Sequence, residues 1–284
     1  MARNNAVCAV VISFCGGRAI ALTIAALRDQ VERIVVVDNG SDDETLRLLR
    51  ELRQERTIDL LELGENRGLG CALNAGARFA KNNNARWILT MDQDSIADPE
   101  MVKAMLDFAE VSKDKKVISL SPTLAINNGN SADSITRKVR TAITSGNMLK
   151  LEVFDIVGPF REDYFIDAVD FEFCLRLRKY GIDVYRIGSA RLSHSLGERL
   201  SIKIGLIVIT VSKHSPIRKY YIFRNHCYLV SEYFFDAPLF LLKKTVFEIL
   251  LILQTIFFEE RRMESIRMIA LGLTHFYKGI RGKL

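Results

Sequence analysis

The chain has 284 residues, of which 49% are hydrophobic and 26% charged, which excludes a disordered or fibrous protein. Its net charge of +6 is confined to the C-terminal quarter: residues 212–284 hold 12 Lys and Arg against six Asp and Glu, whereas residues 1–211 hold 28 of each. This basic segment is rich in Phe, Leu and Ile, which disfavours nucleic acid as a partner and favours an anionic membrane surface. A basic helical region that only packs on the core is the alternative.

The N-terminal apolar run, AVCAVVISF, is too short for a secretion signal with its cleavage site, and we interpret it as the first strand. The five cysteines form no CxxC pair, so the sequence predicts neither a zinc site nor a disulfide framework. Cysteines of this kind are typical of a reducing compartment. We therefore expect a cytoplasmic protein.

Strand and helix patterns alternate through the first 120 residues. Continuous apolar strands that alternate with amphipathic helices predict an α/β fold with a mostly parallel sheet covered on both faces. In such sheets, ligands bind beyond the carboxyl ends of the strands. The predicted strands are AVCAVVISF, RIVVVD, IDLLEL and RWILTMD.

The second part of the chain mixes both patterns and then becomes helical. We predict one domain over residues 1–215, followed by a helical region over 216–284. The longest apolar stretch of that region, TVFEILLILQTIFF, has 14 residues, whereas a membrane span needs about 20. It can lie on a bilayer but is not expected to cross one.

Three acidic residues stand where predicted strands end. Asp38 closes VVVD, where a carboxylate can accept from a ribose hydroxyl or a base N–H. Asp92 and Asp94 follow the fourth strand, and on an extended backbone they would point to opposite sides. One could then bind a sugar hydroxyl and the other Mg²⁺ or Mn²⁺. A turn whose acids cap the next helix is the alternative.

Three more segments carry candidate chemistry. ENRGLGCALNAG opens a helix, so Arg67 and the helix N-terminus could face phosphate, or the glycines could serve close packing. Asp170 lies in an apolar context that favours a raised pKa and suits a general base, or it is an acid placed by the helix dipole. His194 follows a strand and could complete a metal site or be structural.

Taken in order, seven short motifs resemble family 2 glycosyltransferases with the GT-A fold, and most closely their bacterial rhamnosyltransferase branch. They cover about residues 10–225. The resemblance implies a Rossmann-like central sheet flanked by helices, with a C-terminal helical extension that associates with the membrane. Within residues 1–215 it implies a nucleotide-binding half (1–120) and an acceptor half (121–215). The motifs are VVVDNGSDD, NRGLGCALNAG, ILTMDQDS, TSGNMLK, FIDAVDFEFCLRLRKYG, ARLSHSLG and RKYYIFRN.

The resemblance also implies roles for individual residues on the donor side. Asp92 would face the ribose and the sugar, and Arg224 would cover the leaving group. The family often has an aromatic-Asn pair at the end of the first strand, where this chain has Ser-Phe-Cys, and this puts the nucleotide contacts of that loop in question. The residues implied to hold the nucleotide are Ser13, Asp38, Asn66 and Arg67.

The remaining implied roles concern the metal and the acceptor. Asp94 would bind a divalent cation, Mg²⁺ or Mn²⁺, that bridges the diphosphate, and His194 would lie near it. Asp170 would act as the general base that deprotonates the acceptor hydroxyl. The reaction would be a direct displacement with inversion.

The implied donor is a nucleotide sugar, with dTDP-rhamnose favoured, and the implied acceptor is a lipid-linked saccharide in bacterial surface polysaccharide synthesis. The protein would then be peripheral to the inner face of the cell membrane, and the sequence is compatible with an oligomer. Two alternatives are a sugar-phosphate nucleotidyltransferase, which the loop FCGGRAIA leaves open, and a non-catalytic scaffold with the same fold at the membrane.

Overall fold

The computed structural model describes residues 6–112, 118–125, 135–194, 199–204, 207–212 and 214–284. These form two compact units. The first contains the residues up to Glu162 together with Asp170–His194, and the second contains Asp163–Val169 together with the residues after His194. The predicted domain boundary after residue 215 stays a prediction, and the last part of the ARLSHSLG motif, 195–197, lies outside the described residues.

Within the described residues, nine strands of the first unit form one sheet, in the order β3-β2-β1-β4-β8-β6-β9-β5, with β7 beside β9. Strand β1 runs parallel to its neighbours β2 and β4, and β2 runs parallel to β3, whereas β8 runs antiparallel to β4. The predicted α/β class is confirmed. The strands are β1 (Val7–Ser13), β2 (Arg33–Asp38), β3 (Asp59–Glu62), β4 (Trp87–Asp92), β5 (Ser95–Ala97), β6 (Ser119–Ala125), β7 (Arg137–Val139), β8 (Asn147–Lys150) and β9 (Val184–His194).

Helices flank this sheet, and they explain why its central strands are apolar on both sides. Strand β1 is buried at every position, as expected for a strand covered on two faces. Helix α6 starts at the last residue of the segment 163–169 and continues into the first unit. The helices are α1 (Ala19–Leu27), α2 (Asp43–Gln54), α3 (Leu69–Asn82), α4 (Met101–Val111), α5 (Val153–Val157) and α6 (Val169–Lys179).

The glycines of the ENRGLGCALNAG motif serve close packing. A Cβ on Gly76 would overlap Cγ1 of Val10 in β1, and a Cβ on Gly70 would come within 2.6 Å of the carbonyl oxygen of Arg161. Helix α3 can therefore approach β1 this closely only because residue 76 of the helix has no side chain. Of the two roles considered for these glycines, the geometry favours packing.

Replacing Gly76 by Ala should lower the free energy of unfolding by about 1–3 kcal/mol, because the added methyl group overpacks the interface with Val10. Chemical denaturation of the two variants and their combination measures this. Val10→Ala alone also destabilises by leaving a cavity, but it makes room for the new methyl group. The double variant should therefore lose less than the sum of the two single losses. Additive losses would show that the contact is not the cause.

The second unit begins with the segment 163–169, and its other described residues form a hairpin and three helices. The hairpin pairs β10 (Arg199–Ile204) with β11 (Ile207–Ser212) in antiparallel register. The helices are α7 (Pro216–Tyr233), α8 (Pro238–Phe258) and α9 (Arg262–Tyr277), and they confirm the predicted helical extension. None of the described helices is both long enough and apolar enough to span a bilayer.

Candidate active site

Three predicted site residues end neighbouring strands at one edge of the sheet. Ser13 of β1 is in register with Asp38 of β2, and Ile12 of β1 is in register with Asp92 of β4. Asp38, Ser13 and Asp92 therefore follow one another across the carboxyl edge of parallel strands. This is the edge where open α/β sheets bind ligands.

Asp38 has one carboxylate oxygen engaged and one available. Its Oδ2 accepts from the N–H groups of Gly40 and Ser41, each at 3.1 Å, while its buried Oδ1 accepts no hydrogen bond from the residues that the structure describes. A buried acceptor without a donor is costly. The side chain is thus poised to accept an N–H or O–H from a ligand. Ser13 is buried beside it, with its Oγ 3.5 Å from Oγ of Ser41.

Asn66 and Arg67 lie in a loop that is tied to the end of β2. Asn66 Oδ1 accepts from Nδ2 of Asn39 at 3.2 Å and from the N–H of Gly68 at 3.0 Å. The N–H of Arg67 donates to Oδ1 of Asn39 at 2.9 Å, and its exposed guanidinium lies 3.8 Å from Glu65. These bonds give Asn66 a loop-shaping role whether or not it also contacts a nucleotide.

The structure brings Asp92, Asp94 and His194 together. Their ligand atoms all lie within 4.8 Å of one another, the one such group of three or more His, Cys, Asp or Glu in the described parts of the chain. Strand β4 ends at Asp92, and a turn follows, so the expectation that Asp92 and Asp94 point to opposite sides is wrong. His194 arrives because β5 pairs with β9, which sets Ser95 opposite His194.

Two buried serines support this cluster, and neither was predicted to do so. The N–H of Asp92 donates to Ser145 Oγ at 3.2 Å, and the Ser145 hydroxyl donates to Ser95 Oγ at 2.7 Å. Ser95 Oγ in turn lies 2.7 Å from Nδ1 of His194. This chain of hydrogen bonds fixes the imidazole ring against the end of β4. Both serines lie inside motifs that were recognised, DQDS and TSGNMLK, but their contact depends on strand pairing.

The residue between the two aspartates holds the loop after β1. Gln93 Oε1 accepts from the N–H of Phe14 at 2.8 Å, and its Nε2 donates to the carbonyl of Phe14 at 3.0 Å. A Cβ on Gly16 would overlap the Gln93 side chain. The loop that carries Ser-Phe-Cys in place of the aromatic-Asn pair is thus fixed directly to the acidic cluster.

The side chains of Asp92, Asp94 and His194 suit a hard divalent cation as metal ligands. Two carboxylates and one imidazole are ligands that Mn²⁺ accepts, and Mg²⁺ is usually held by one or two carboxylates. The observed ligand atoms lie within 4.8 Å of one another, so a small shift would bring them within the ~4.2 Å that separates opposite ligands of one ion at about 2.1 Å. The Asp94 side chain is 45% exposed, whereas that of His194 is 17% exposed.

Asp170 lies in the first turn of α6 and is half-buried, with its Oδ1 accepting from the N–H of Phe171 at 2.8 Å. Glu172, two residues on, is fully buried and pairs with Arg176 at 2.9 Å. That ion pair is structural, because Arg176 also donates to the carbonyl of Val157 near the end of α5. Of these two acids, Asp170 is the one suited to exchange a proton with a ligand, and its role as a base stays a prediction.

Arg224 lies in the second unit and is fully buried. Its Nη1 donates to the Tyr220 hydroxyl at 3.1 Å and to the carbonyl of Gly282 at 2.7 Å. Its Nη2 and Nε donate to Oδ1 of Asn225 at 3.0 and 3.1 Å. A contact with a leaving group would require these internal bonds to be given up, so the donor site proposed below omits Arg224. A basic and aromatic sequence pattern did not distinguish a buried guanidinium from an exposed one.

Comparison with known proteins identifies the family of this chain. The sequence profile of "Glycosyl transferase family 2" matches residues 8–161. The dTDP-rhamnosyl transferase RfbF of Shigella flexneri is 30% identical over 276 residues, which are 91% of this chain and 90% of that protein.

Two solved structures share the fold at low sequence identity. The mannosyltransferase PcManGT of Pyrobaculum calidifontis, in complex with GDP-Man and Mn²⁺, superposes with a TM-score of 0.57 at 16% identity, over 98% of this chain and 76% of that one. S. aureus TarS 1-349 in complex with UDP-GlcNAc gives 0.53 at 14% identity, over 96% and 73%. Because the profile covers more than half of the chain, and RfbF resembles nearly all of it, this protein is a rhamnosyltransferase-like glycosyltransferase of family 2.

Proposed function

We propose that this glycosyltransferase transfers L-rhamnose from dTDP-rhamnose, with inversion, to a hydroxyl of a lipid-linked saccharide at the inner face of the bacterial cell membrane. The observation that carries the donor site is the Asp92–Asp94–His194 cluster on the same sheet edge as the available oxygen of Asp38. The similarity to a dTDP-rhamnosyl transferase over 91% of the chain supports the choice of donor.

Each residue would have a distinct task. Asp38 would accept a hydrogen bond from the nucleotide, and Asp92 would face the ribose and the sugar. Asp94 and His194 would hold Mg²⁺ or Mn²⁺, which when bound stabilises negative charge on the departing diphosphate. Asp170 would take the proton from the acceptor hydroxyl. The oxygen of that hydroxyl would attack the anomeric carbon as the bond between this carbon and the diphosphate breaks. One displacement of this kind inverts the anomeric configuration.

A thermal-shift panel tests the choice of donor. The chain would be heated with Mn²⁺ and each of dTDP-rhamnose, UDP-glucose, UDP-GlcNAc and GDP-mannose, and slow hydrolysis of each sugar would be followed. We expect dTDP-rhamnose to give the largest rise in melting temperature and to be hydrolysed, because a ligand that binds only the folded state stabilises it. Stabilisation by another sugar alone would correct the donor, and no response to any would contradict donor binding.

Replacing Asp38 by Asn should weaken the binding of dTDP by about 10- to 100-fold. The exchange keeps the shape of the side chain but removes the charge that strengthens its hydrogen bonds, which contribute about 1.5–3 kcal/mol each when one partner is charged. Calorimetric titration with dTDP measures the affinity. Asp42→Asn, which changes the nearby acid that caps α2, is the control and should leave dTDP affinity unchanged. Equal affinities for the Asp38 variant and the parent chain would contradict a nucleotide contact.

Helix α8 supports a membrane contact because its apolar side faces outward. Its buried residues are Leu241, Glu248 and Thr255, a stripe of every seventh residue that includes two polar side chains. Burial raises the pKa of Glu248, whose carboxylate pairs with Lys244 at 2.6 Å. The exposed apolar residues of the helix are Leu239, Leu242, Val246, Phe247, Ile249, Leu250, Leu253, Ile256, Phe257 and Phe258.

An exposed apolar surface of this extent marks an interaction site. Lys243 is exposed on α8 itself, and Arg261 and Arg262 are exposed at the start of α9. Apolar side chains beside cations match the interface of an anionic bilayer, where the helix would lie in the plane of the membrane. An acceptor carried on a lipid would be presented at that surface.

The double variant Phe247→Glu/Leu250→Glu should lose at least tenfold in binding to vesicles that contain phosphatidylglycerol, because each buried apolar side chain contributes about 1.5–3 kcal/mol. Vesicle flotation measures this. Leu22→Glu/Val111→Glu is the control, because it adds the same charge at exposed apolar positions of the first unit. Membrane contact would be contradicted if neither the parent chain nor the control floated with the vesicles. A parent dimer that the α8 variant converts to a monomer, without vesicle binding, would assign the face to a second copy.

A further inference from the structure

We propose that Arg224 and Asn225 of α7 are positioning residues for sugar transfer, because they hold the segment 163–168 in the conformation that sets the place of Asp170. This inference rests on the proposed role of Asp170 as the base. It gives the RKYYIFRN motif a task that is different from contact with the leaving group.

The segment ahead of Asp170 has a strained backbone. Phe165, Asp167 and Ala168 have φ angles of 64°, 60° and 63°. Side chains with a Cβ disfavour this left-handed region, and such strain persists only where the surroundings impose it. Asp170 follows this segment after one further residue, Val169, which begins α6. The direction in which the chain enters α6, and therefore the place of the Asp170 carboxylate, depends on these three residues.

Asn225 imposes this conformation through its side-chain amide. Its Nδ2 lies 2.8 Å from the carbonyl oxygen of Tyr164, 2.7 Å from that of Ile166 and 3.0 Å from that of Asp167. Three carbonyls of the segment thus converge on one buried amide group, which has two hydrogens to donate. A regular extended or helical backbone would not direct these carbonyls to one point.

Arg224 fixes the Asn225 side chain and extends the contact. Asn225 Oδ1 accepts from Nε and Nη2 of Arg224, which leaves the Nδ2 side of the amide facing the segment. Nη2 also lies 3.3 Å from the carbonyl oxygen of Tyr164 and 3.4 Å from that of Asp163. The guanidinium carbon is 5.1 Å from the ring centres of both Tyr220 and Tyr221. A buried guanidinium costs desolvation free energy, and here its donors are spent on carbonyls and an amide that set one backbone conformation.

The side chains of the segment are held by the same helix. The Asp167 carboxylate accepts from Nη2 of Arg218 at 3.0 Å and from its Nε at 3.2 Å, and the ring of Phe165 stacks on Tyr221 with centres 5.0 Å apart. Helix α7 therefore contacts the side chains of two left-handed residues, Phe165 and Asp167, and the backbone of the segment at three carbonyls. The segment moves only if the hydrogen bonds of α7 are broken.

Asn225→Ala removes the amide and tests the proposal. We expect the transfer of rhamnose from dTDP-rhamnose to water, with Mn²⁺ present, to slow by about 10- to 100-fold, because a misplacement of about 1 Å can cost 10²-fold. The affinity for dTDP should not change, because its proposed contacts lie in the first unit. Combined with Asp170→Asn, the Asn225 exchange should cause no further loss, because its effect acts through the base.

Two further variants separate positioning from stability. Leu229→Ala removes a fully buried side chain of the same helix and should lower the melting temperature. It should not slow transfer measured at temperatures well below that melting temperature. Ala168→Gly, added to Asn225→Ala, should restore up to about tenfold in rate, because glycine adopts the left-handed conformation at no cost.

The outcomes distinguish this inference from the proposed function. Full activity of Asn225→Ala, or a loss that multiplies with that of Asp170→Asn, would overturn the positioning role while leaving the base intact. Full activity of Asp170→Asn alone would refute the base itself. Should Asn225→Ala not fold, Arg218→Ala replaces it, since it removes the half-exposed contact with Asp167. Its expected loss is about threefold in the parent chain and none beside Asp170→Asn, and full activity in the parent chain would then overturn the inference.

Discussion

Replacing Asp94 by Ala should lower sugar transfer on the order of 10³-fold. The departing diphosphate gains negative charge as its bond to the sugar breaks, and a bound cation stabilises that charge by several kcal/mol, with about 1.4 kcal/mol for each tenfold in rate. Asp94 is the most exposed member of the cluster with Asp92 and His194, so its removal should leave the fold intact. Steady-state transfer with dTDP-rhamnose and titration of Mn²⁺ in the presence of dTDP measure the two effects.

Asp107→Ala is a suitable control for this exchange, because it also removes an exposed carboxylate of the first unit, from α4. It should bind Mn²⁺ and transfer sugar as the parent chain does. Parent-like Mn²⁺ affinity and transfer in the Asp94 variant would remove Asp94 from the metal site. Loss of transfer with unchanged Mn²⁺ binding would mean that Asp94 acts on the sugar rather than on the cation.

Replacing Asp170 by Asn should slow transfer by about 10²- to 10⁴-fold, the usual contribution of a general base. The amide has the same shape but cannot take a proton from the acceptor hydroxyl. Affinity for dTDP and for Mn²⁺ should be unchanged, because the loss concerns proton transfer. Transfer rates at saturating donor, measured beside both affinities, separate this result from a failure to bind.

Asp43→Asn supplies the matched control for Asp170, because Asp43 is an exposed acid in the first turn of α2 and its loss weakens a helix N-terminus in the same way. It should keep parent activity. An Asp170 variant that transfers as fast as this control would show that the proton leaves by another route.

Much of the donor edge could be predicted because it follows from local pattern. Asp38 and Asp92 each end an apolar run, Asp94 lies two residues beyond Asp92, and parallel strands bring such ends to one edge of a sheet. Where the pattern was extended across the turn after β4, it failed, since Asp94 lies outside the strand and its alternation no longer holds. Strand geometry predicts side-chain direction only as far as the strand continues.

Contacts between distant segments could not be read in this way. Ser145 reaches Ser95 because β8 lies beside β4, and His194 reaches Ser95 because β9 lies beside β5, 99 residues along the chain. The contacts of Arg224 and Asn225 could not be predicted for the same reason. An arginine among aromatic residues has the same sequence pattern whether it faces solvent or the carbonyls of a buried segment. Burial is a property of the whole fold.

The extent of the apolar surface on α8 also needed the structure. The sequence predicted an apolar helix too short to cross a bilayer but left its inward side open. The inward stripe proves to include Glu248 and Thr255, so the apolar residues of the helix are largely on the outside. The outward-facing apolar residues of α8 make the membrane proposal more specific than the basic charge of the C-terminal quarter did.

The proposed reaction is a single displacement at the anomeric carbon, with the metal held at Asp94 and the proton taken by Asp170. Proton NMR of the first sugar product released from dTDP-β-L-rhamnose with Mn²⁺, recorded before mutarotation, tests it most directly. We expect α-L-rhamnose or an α-L-rhamnoside as the first product, and we expect chelation of the metal to abolish its formation. A first product that retains the β configuration, or the same rate without metal, would contradict it.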